Sequence, residues 1–404
     1  MKRAALVVTI LFALVAFGVG FAGATVALDV SRPVTDGSTA KVNIVVADGD
    51  TSTDIANKLE QAGLIRNALV FRLFARYKHL DTNLKKGTYD ISPGMTMDQI
   101  IARFEGAPMV EHITVLVPPG SRATQYPAYF AQLPNFNADN FMKIAASGVL
   151  LDDAKTPLST KYWFVPTQPA KYVKYALEGY LFPDTYFFDK QKDNETTVIE
   201  RMLDTLGQHL CPGPDDNPGA YFKDKAQCLA HAAKVKGSNT DIFTAMKKAY
   251  STTDDVKALN TALIFGSLTV REIKNLGDAP GVTNVYYTRW MALQGKTANL
   301  GDIGNMGADP TTQYARDSLN PPKDGKWWAP LGNIDLGSIK DPYNAYVTSS
   351  IPPGPIAAPL WDEILAAANP SISKYFYFVQ DCHGTTLYAT TQAQHDANAN
   401  KPCS

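Results

Sequence analysis

Apolar residues recur four apart after three turns in the first third of the chain: Ile55 and Leu59, Ile100 and Phe104, Tyr126 and Phe130. That spacing returns side chains to one face of a helix with about 3.6 residues per turn. Each pair follows a Gly-containing stretch, beginning at Gly49, Gly94 or Gly120. A β-rich run precedes each turn, Val42–Val46, Gly87–Ile91 and Ile113–Val117, as β-branched and aromatic residues favour strands. The pattern predicts three strand–turn–helix units within residues 41–133. From 134 to about 260 the periodicity is mostly helical, interrupted by aromatic-rich connections and a Pro/Gly/Asp loop at 211–219. The strongest helical pattern spans Ala262–Leu276, with Thr261 as cap and Gly277 just beyond it. On that helix Phe265, Leu268, Glu272 and Leu276 fall within roughly an 80° arc. Glu272 is therefore expected on an apolar stripe, with Arg271 and Lys274 turned to other sides.

The opening residues follow a different pattern. Lys2 and Arg3 precede an uncharged, largely apolar run from Ala4 to Leu28, long enough to cross a bilayer as a helix. A cleaved signal peptide competes, since Gly23, Ala24 and Ala27 could form its cleavage site, but its apolar region is usually only about 7–15 residues. Length favours the anchor. Residues 1–28 are read as cytoplasmic start and single-pass transmembrane anchor, with the chain after Asp29 extracytoplasmic. Residues 29–40, polar and turn-rich, form a stalk.

Composition narrows the function. With 404 residues, 45% of them hydrophobic, the chain can bury a sizeable core and divide into domains. Thirty-eight basic and 39 acidic residues give a net charge of -1, so no overall field draws it to nucleic acid. None of the six histidines forms an HxH or HExxH arrangement, and no metal or other cofactor is expected. The four cysteines suit an oxidising compartment, and proximity favours Cys211 with Cys228 and Cys382 with Cys403 among the three possible pairings; four unrelated buried thiols are the alternative.

A carboxyl group among apolar neighbours keeps its proton near neutral pH, as a general acid must. Periodicity alone leaves another reading open, in which Glu272 reaches solvent or pairs with Arg289. The βα modules of 41–133 resemble LysM-type cell-wall-binding domains, although a purely structural spacer fits as well.

Gly266-Ser267-Leu268-Thr269-Val270-Arg271-Glu272 resembles the helix of the MltG/YceG-like family, whose second Glu is catalytic and falls on Glu272. The likeness continues in order: Glu178 to Tyr186 resembles that family's E-G-[YW]-[LF]-[FW]-P-D-T-[YW], Ala308-Asp309-Pro310-Thr311 its T-D-P-T, and Tyr343-Asn344-Ala345-Tyr346 its Y-N-T-Y. Ile351 to Ile356 resembles L-P-P-G-P-I, and Tyr375 to Val379 with a later His-containing segment resembles the terminal strand region. Val270 stands where the family has a further Glu, Ala308 replaces Thr, and Thr288-Arg289 stands where Asn-Arg is usual.

The resemblance implies a lytic transglycosylase that cuts nascent peptidoglycan strands internally between N-acetylmuramic acid and N-acetylglucosamine, leaving 1,6-anhydro ends and limiting strand length. Glu272 would serve as acid and then base. Asp309, Thr311, Tyr343 and Asn344 would orient the sugars, unless they form turns and core hydrogen bonds. Peptidoglycan strands, the membrane and peptidoglycan synthases are the implied partners. The expected fold is α+β: an anchor helix, small LysM-like modules over 41–133, and a mixed α/β catalytic domain over 134–404 whose central helix bears Glu272. Two other readings remain: a non-catalytic, membrane-anchored peptidoglycan-binding protein, favoured by Val270, and a hydrolytic muramidase using Asp309 as second carboxylate.

Overall fold

Strands β1 (Val42–Val46) and β2 (Gly87–Ile91) pair antiparallel, with Val42 opposite Ile91 and Val46 opposite Gly87. In the computed structural model, which describes residues 29–80, 85–214, 217, 219–297 and 304–401, they belong to the first of two compact units, residues 1–111 and 112–404. Helix α1 (Ser52–Gln61) starts at Thr51 and α3 (Met97–Glu105) at Thr96, each in a capping box closed by Asp54 or Gln99. These caps satisfy backbone N–H groups that the first turn leaves unpaired. Helix α2 (Ala68–Tyr77), capped by Asn67, lies between them and has no counterpart in the repeat. Ile55, Leu59, Ile100 and Phe104 are fully buried, together with Phe71 and Tyr89, in a core of this unit's own.

The third strand–turn–helix copy lies in the second unit. Its strand β3 (His112–Leu116) pairs antiparallel with β4 (Thr185–Asp189), Val115 opposite Tyr186. The short helix α4 (Tyr126–Phe130) follows, and α5 (Ala138–Ser147) packs close by. This copy thus finds its strand partner at the end of the Glu178–Tyr186 stretch rather than among residues 41–111. Three two-stranded antiparallel sheets among many helices make the described chain an α+β protein.

Helices α6 (Glu195–Leu210), α7 (Lys225–His231) and α8 (Ile242–Tyr250) lead to the central helix α9 (Asp255–Glu272). The loop between α6 and α7 is closed by a disulfide between Cys211 and Cys228, Cα atoms 4.9 Å apart. No described cysteine is a free thiol. Cys403, expected to pair with Cys382, lies outside the described residues, as does the apolar run 4–28. Among the described residues no helix is long and apolar enough to cross a membrane.

Helix α9 differs from the expected Ala262–Leu276. Asp254 caps it, accepting from the backbone N of Val256 and Lys257, while Thr261 donates to Lys257 O inside the helix. It ends at Glu272 because Ile273 is extended, and Leu276 is 45% exposed rather than part of a buried stripe. Ala258, Leu259, Ala262, Leu263, Phe265 and Leu268 are all fully buried. A helix apolar on every side must be enclosed, and α8, α10 (Ala279–Leu293) and α12 (Trp361–Ala368) surround it. Helix α11 (Asp309–Leu319), the hairpin β5 (Tyr377–Gln380) and β6 (Thr386–Ala389), and the last helix α13 (Gln392–Ala399) complete the unit.

Candidate active site

Ending α9 at Glu272 delivers one carboxyl group from the middle of the core to the wall of a cleft of about 440 Å³. Tyr286 and Arg289 of α10, Asp309 at the start of α11, Tyr346, Tyr377 of β5 and His395 of α13 share that wall. Tyr286 Oη donates to Glu272 Oε1 at 2.7 Å, and Gln380 Nε2 donates to the Glu272 carbonyl at 2.9 Å. Burial pushes the Glu272 carboxyl up to about 7. The Tyr286 hydrogen bond and the charges of Arg289 and Arg271 pull it down, while the Asp309 charge adds to the upward push. Its position at a helix C-terminus also disfavours negative charge.

No ion pair joins Glu272 to Arg289. The Arg289 guanidinium instead donates to Phe376 O at 2.6 Å, Met306 O at 2.7 Å and Gly307 O at 3.0 Å. It thereby ties α10 to the start of the β5 hairpin and to the turn before α11. Gly307 fits that turn: its φ is +55°, and a Cβ would sit 3.2 Å from Arg289 Nη1, a conformation and a spacing that favour glycine. Arg271 faces elsewhere, its guanidinium 4.3 Å from the Trp328 ring.

Of the four residues expected to orient sugars, Asp309 lines the cleft, exposed at the first turn of α11 and accepting from Tyr346 Oη at 2.6 Å. Thr311, Tyr343 and Asn344 are not on its lining. Thr311 Oγ1 donates to Ala308 O and accepts from Ala345 N. Asn344 is fully buried, its Nδ2 donating to Leu336 O and Ile339 O and its Oδ1 accepting from Thr312 Oγ1 and Tyr346 N. The Tyr343 ring packs at a tilt against that of Tyr314, centroids 4.7 Å apart. These three hold the Asp309 turn and Tyr346 in place from behind. The sequence assigns no role to Tyr286 or His395, and Tyr346 and Tyr377 appear in it only inside the Tyr343–Tyr346 and Tyr375–Val379 motifs, because a lone aromatic or histidine on a helix or strand carries the same pattern as a core residue.

The Ile351–Ile356 segment also acts from behind. Ser267 Oγ donates to Ile264 O and accepts from Ile356 N at 3.1 Å, and a Cβ on Gly266 would come within 3.1 Å of Pro359. Gly179, at φ +80°, would place a Cβ 2.5 Å from Pro355. The quoted segments around Glu178, Ser267 and Pro353 thus meet as one scaffold. Among the described residues no group of His, Cys, Asp and Glu could hold a metal ion.

A carboxyl group kept protonated near neutrality in an open, polar cleft is the arrangement of a general acid. Residues 44–401 match the family model described as the YceG-like family. The chain belongs to that family. It is 26% identical over 393 residues to an endolytic murein transglycosylase of Streptococcus pneumoniae, covering 94% of this chain and 61% of that protein. It is 24% identical over 372 residues to one of Bacillus subtilis, covering 90% of this chain and 86% of the relative. The chain thus spans 61% of the length of the pneumococcal relatives. A crystal structure of a YceG-like protein from Listeria monocytogenes aligns with 89% of this chain and 99% of its own, with 23% identity and a TM-score of 0.48.

Proposed function

We propose that this protein is an endolytic lytic transglycosylase that cleaves peptidoglycan strands between N-acetylmuramic acid and N-acetylglucosamine. The observation that carries the reading is the Glu272 carboxyl, raised to about 7 and presented to the cleft beside Asp309. Glu272 protonates the glycosidic oxygen as its bond to the muramic C1 breaks. The resulting carboxylate takes the proton from the muramic C6 hydroxyl, whose oxygen closes on C1. One carboxyl group thus returns to its starting state, water is not consumed, and the product carries a 1,6-anhydro end. Tyr286 steadies the carboxylate phase of that cycle, and Asp309, fixed by Tyr346, holds sugar hydroxyls. Relatives named endolytic murein transglycosylases support the substrate class.

In this reading the run 4–28 anchors the chain in the membrane, the small first unit serves as a LysM-like wall-binding module, and the second unit does the chemistry. Peptidoglycan synthases are the neighbours that such an enzyme would work beside. Asp309 on the same cleft favours one other reading, hydrolysis by two carboxylates.

The test is to incubate the full chain in detergent with uncrosslinked peptidoglycan strands, beside Glu272→Gln, and weigh the products by mass. Anhydro-muramyl ends are expected from the wild type, with a loss of roughly 10²–10⁴-fold in rate for the variant. Reducing ends would assign hydrolysis, and an active Glu272→Gln protein would remove Glu272 from the mechanism.

A further inference from the structure

Helix α13 buries no residue, and it starts at Thr391, whose side chain accepts from Gln394 N. It leans on the terminal hairpin through His395, whose ring centroid lies 5.7 Å from that of Tyr377. Gln392 and His395, three apart and so on one helix face, both line the Glu272 cleft. Gln392 is engaged, its Nε2 donating to Asp396 Oδ1 at 2.7 Å. His395 is different: its Nδ1 is buried without a hydrogen-bond partner. A proton on Nδ1 would be a buried donor with no acceptor, so the neutral ring holds its proton on Nε2.

Three other polar side chains of the cleft are already in use, while Asn305 and Tyr377 line it beside His395. Tyr286 is bound to Glu272, Tyr346 to Asp309, and Arg289 to three carbonyl oxygens. Among the described residues, Nε2 of His395 has no protein acceptor, while the ring is oriented by Tyr377.

We propose that His395 is a substrate-positioning residue, donating a hydrogen bond from Nε2 to an oxygen of the bound amino sugar. The acceptor is an acetamido carbonyl or a hydroxyl, both abundant on this polymer, and no proton is transferred. The assignment rests on the reading of the cleft as the site that binds the glycan strand.

The experiment compares His395→Ala, His395→Asn and His395→Gln in the full chain in detergent. Gln carries an amide N–H near the place of Nε2, whereas the amide of Asn reaches only the place of Nδ1. Affinity for uncrosslinked strands is measured in the Glu272→Gln background, and kcat and KM for cleavage in the otherwise unchanged chain. Ala and Asn are expected to lose roughly three- to tenfold in affinity and in kcat/KM, and Gln to recover most of it. Melting temperatures should barely move, since α13 buries nothing; if Ala does lower its melting temperature, the contrast between Gln and Asn still decides. Binding and cleavage within twofold of the parent for all three, equal losses for all three, rescue by Asn alone, or no strand binding by the parent would each overturn the assignment. Binding that follows the Gln-over-Ala pattern in a chain that makes no anhydro ends would uphold His395 and overturn the transglycosylase reading instead.

Discussion

Opposing effects meet on the Glu272 carboxyl. Burial lifts it to about 7, and the Tyr286 hydroxyl, which donates to Oε1, favours the ionised form and holds it from rising further. A general acid must start protonated, so the rate should fall as pH rises through about 7. Tyr286→Phe removes the donor that stabilises the carboxylate. The alkaline limb of its pH–rate profile should therefore move to higher pH than in the wild type, with the fold intact. A limb that stays in place, or moves toward acid, would show that the hydroxyl does not act on Glu272. Glu272 was legible in the sequence as a carboxyl group among Phe265 and Leu268 and as the last residue of a motif, and the structure places it on the cleft. Its partner was not: Tyr286 is 1% exposed, and its spacing resembles that of any core aromatic.

The helix that carries Glu272 shows where pattern reading succeeds and where it gives out. The paired apolar positions at Ile55/Leu59, Ile100/Phe104 and Tyr126/Phe130 all proved buried, since each short helix has one wet face and one dry one. On α9 the same argument placed the charge on a stripe, whereas the helix is dry on every side over most of its length. Periodicity vanishes when all faces are buried, so its true start at Asp254 and its end at Glu272 had to come from capping and tertiary contacts. One such contact is open to test. Ser267→Ala deletes the acceptor of the Ile356 N–H, which is buried and bonded only to that hydroxyl among the hydrogen bonds described. Leaving a buried donor unpaired costs about 1–3 kcal/mol, and thermal or urea unfolding should show a loss of that size. Because the Ile351–Ile356 segment is tied at this point to the helix that carries Glu272, strand affinity should fall as well; unchanged stability would mean that the loop is held by its other contacts.

Beyond single elements, the second unit is closed by a buried polar junction that brings together segments far apart in the chain. Glu178, 1% exposed, accepts from Ala123 N at 2.8 Å and from Tyr314 Oη at 3.0 Å. Arg122, fully buried, stacks 4.1 Å from the Tyr314 ring and 4.6 Å from Trp327, and donates to Ser318 Oγ. No ion pair links Arg122 to Glu178, and burial outweighs the arginine's charge to raise the Glu178 carboxyl to about 7. The sequence marked Glu178 as part of a motif but could not show that its two hydrogen-bond donors come from residues 123 and 314. The consequence falls on the stability of the unit as a whole. Between the unperturbed carboxyl value of 4.5 and about 7 the folded chain binds a proton that the unfolded chain has released. This contribution is therefore complete below about 4.5 and declines as pH rises toward 7, by an amount of order 3 kcal/mol. Glu178→Gln mimics the protonated form, with its amide oxygen still accepting from Ala123 N and its NH₂ able to donate to Tyr314. Urea unfolding of the variant should match the wild type near pH 4.5 and exceed it at pH 8, where the wild type must either bury a carboxylate or keep a proton at odds with the solvent. A variant less stable than the wild type at pH 8 would mean that Glu178 is ionised in the folded chain and balanced by Arg122, and the junction would then be held by charge rather than by a retained proton.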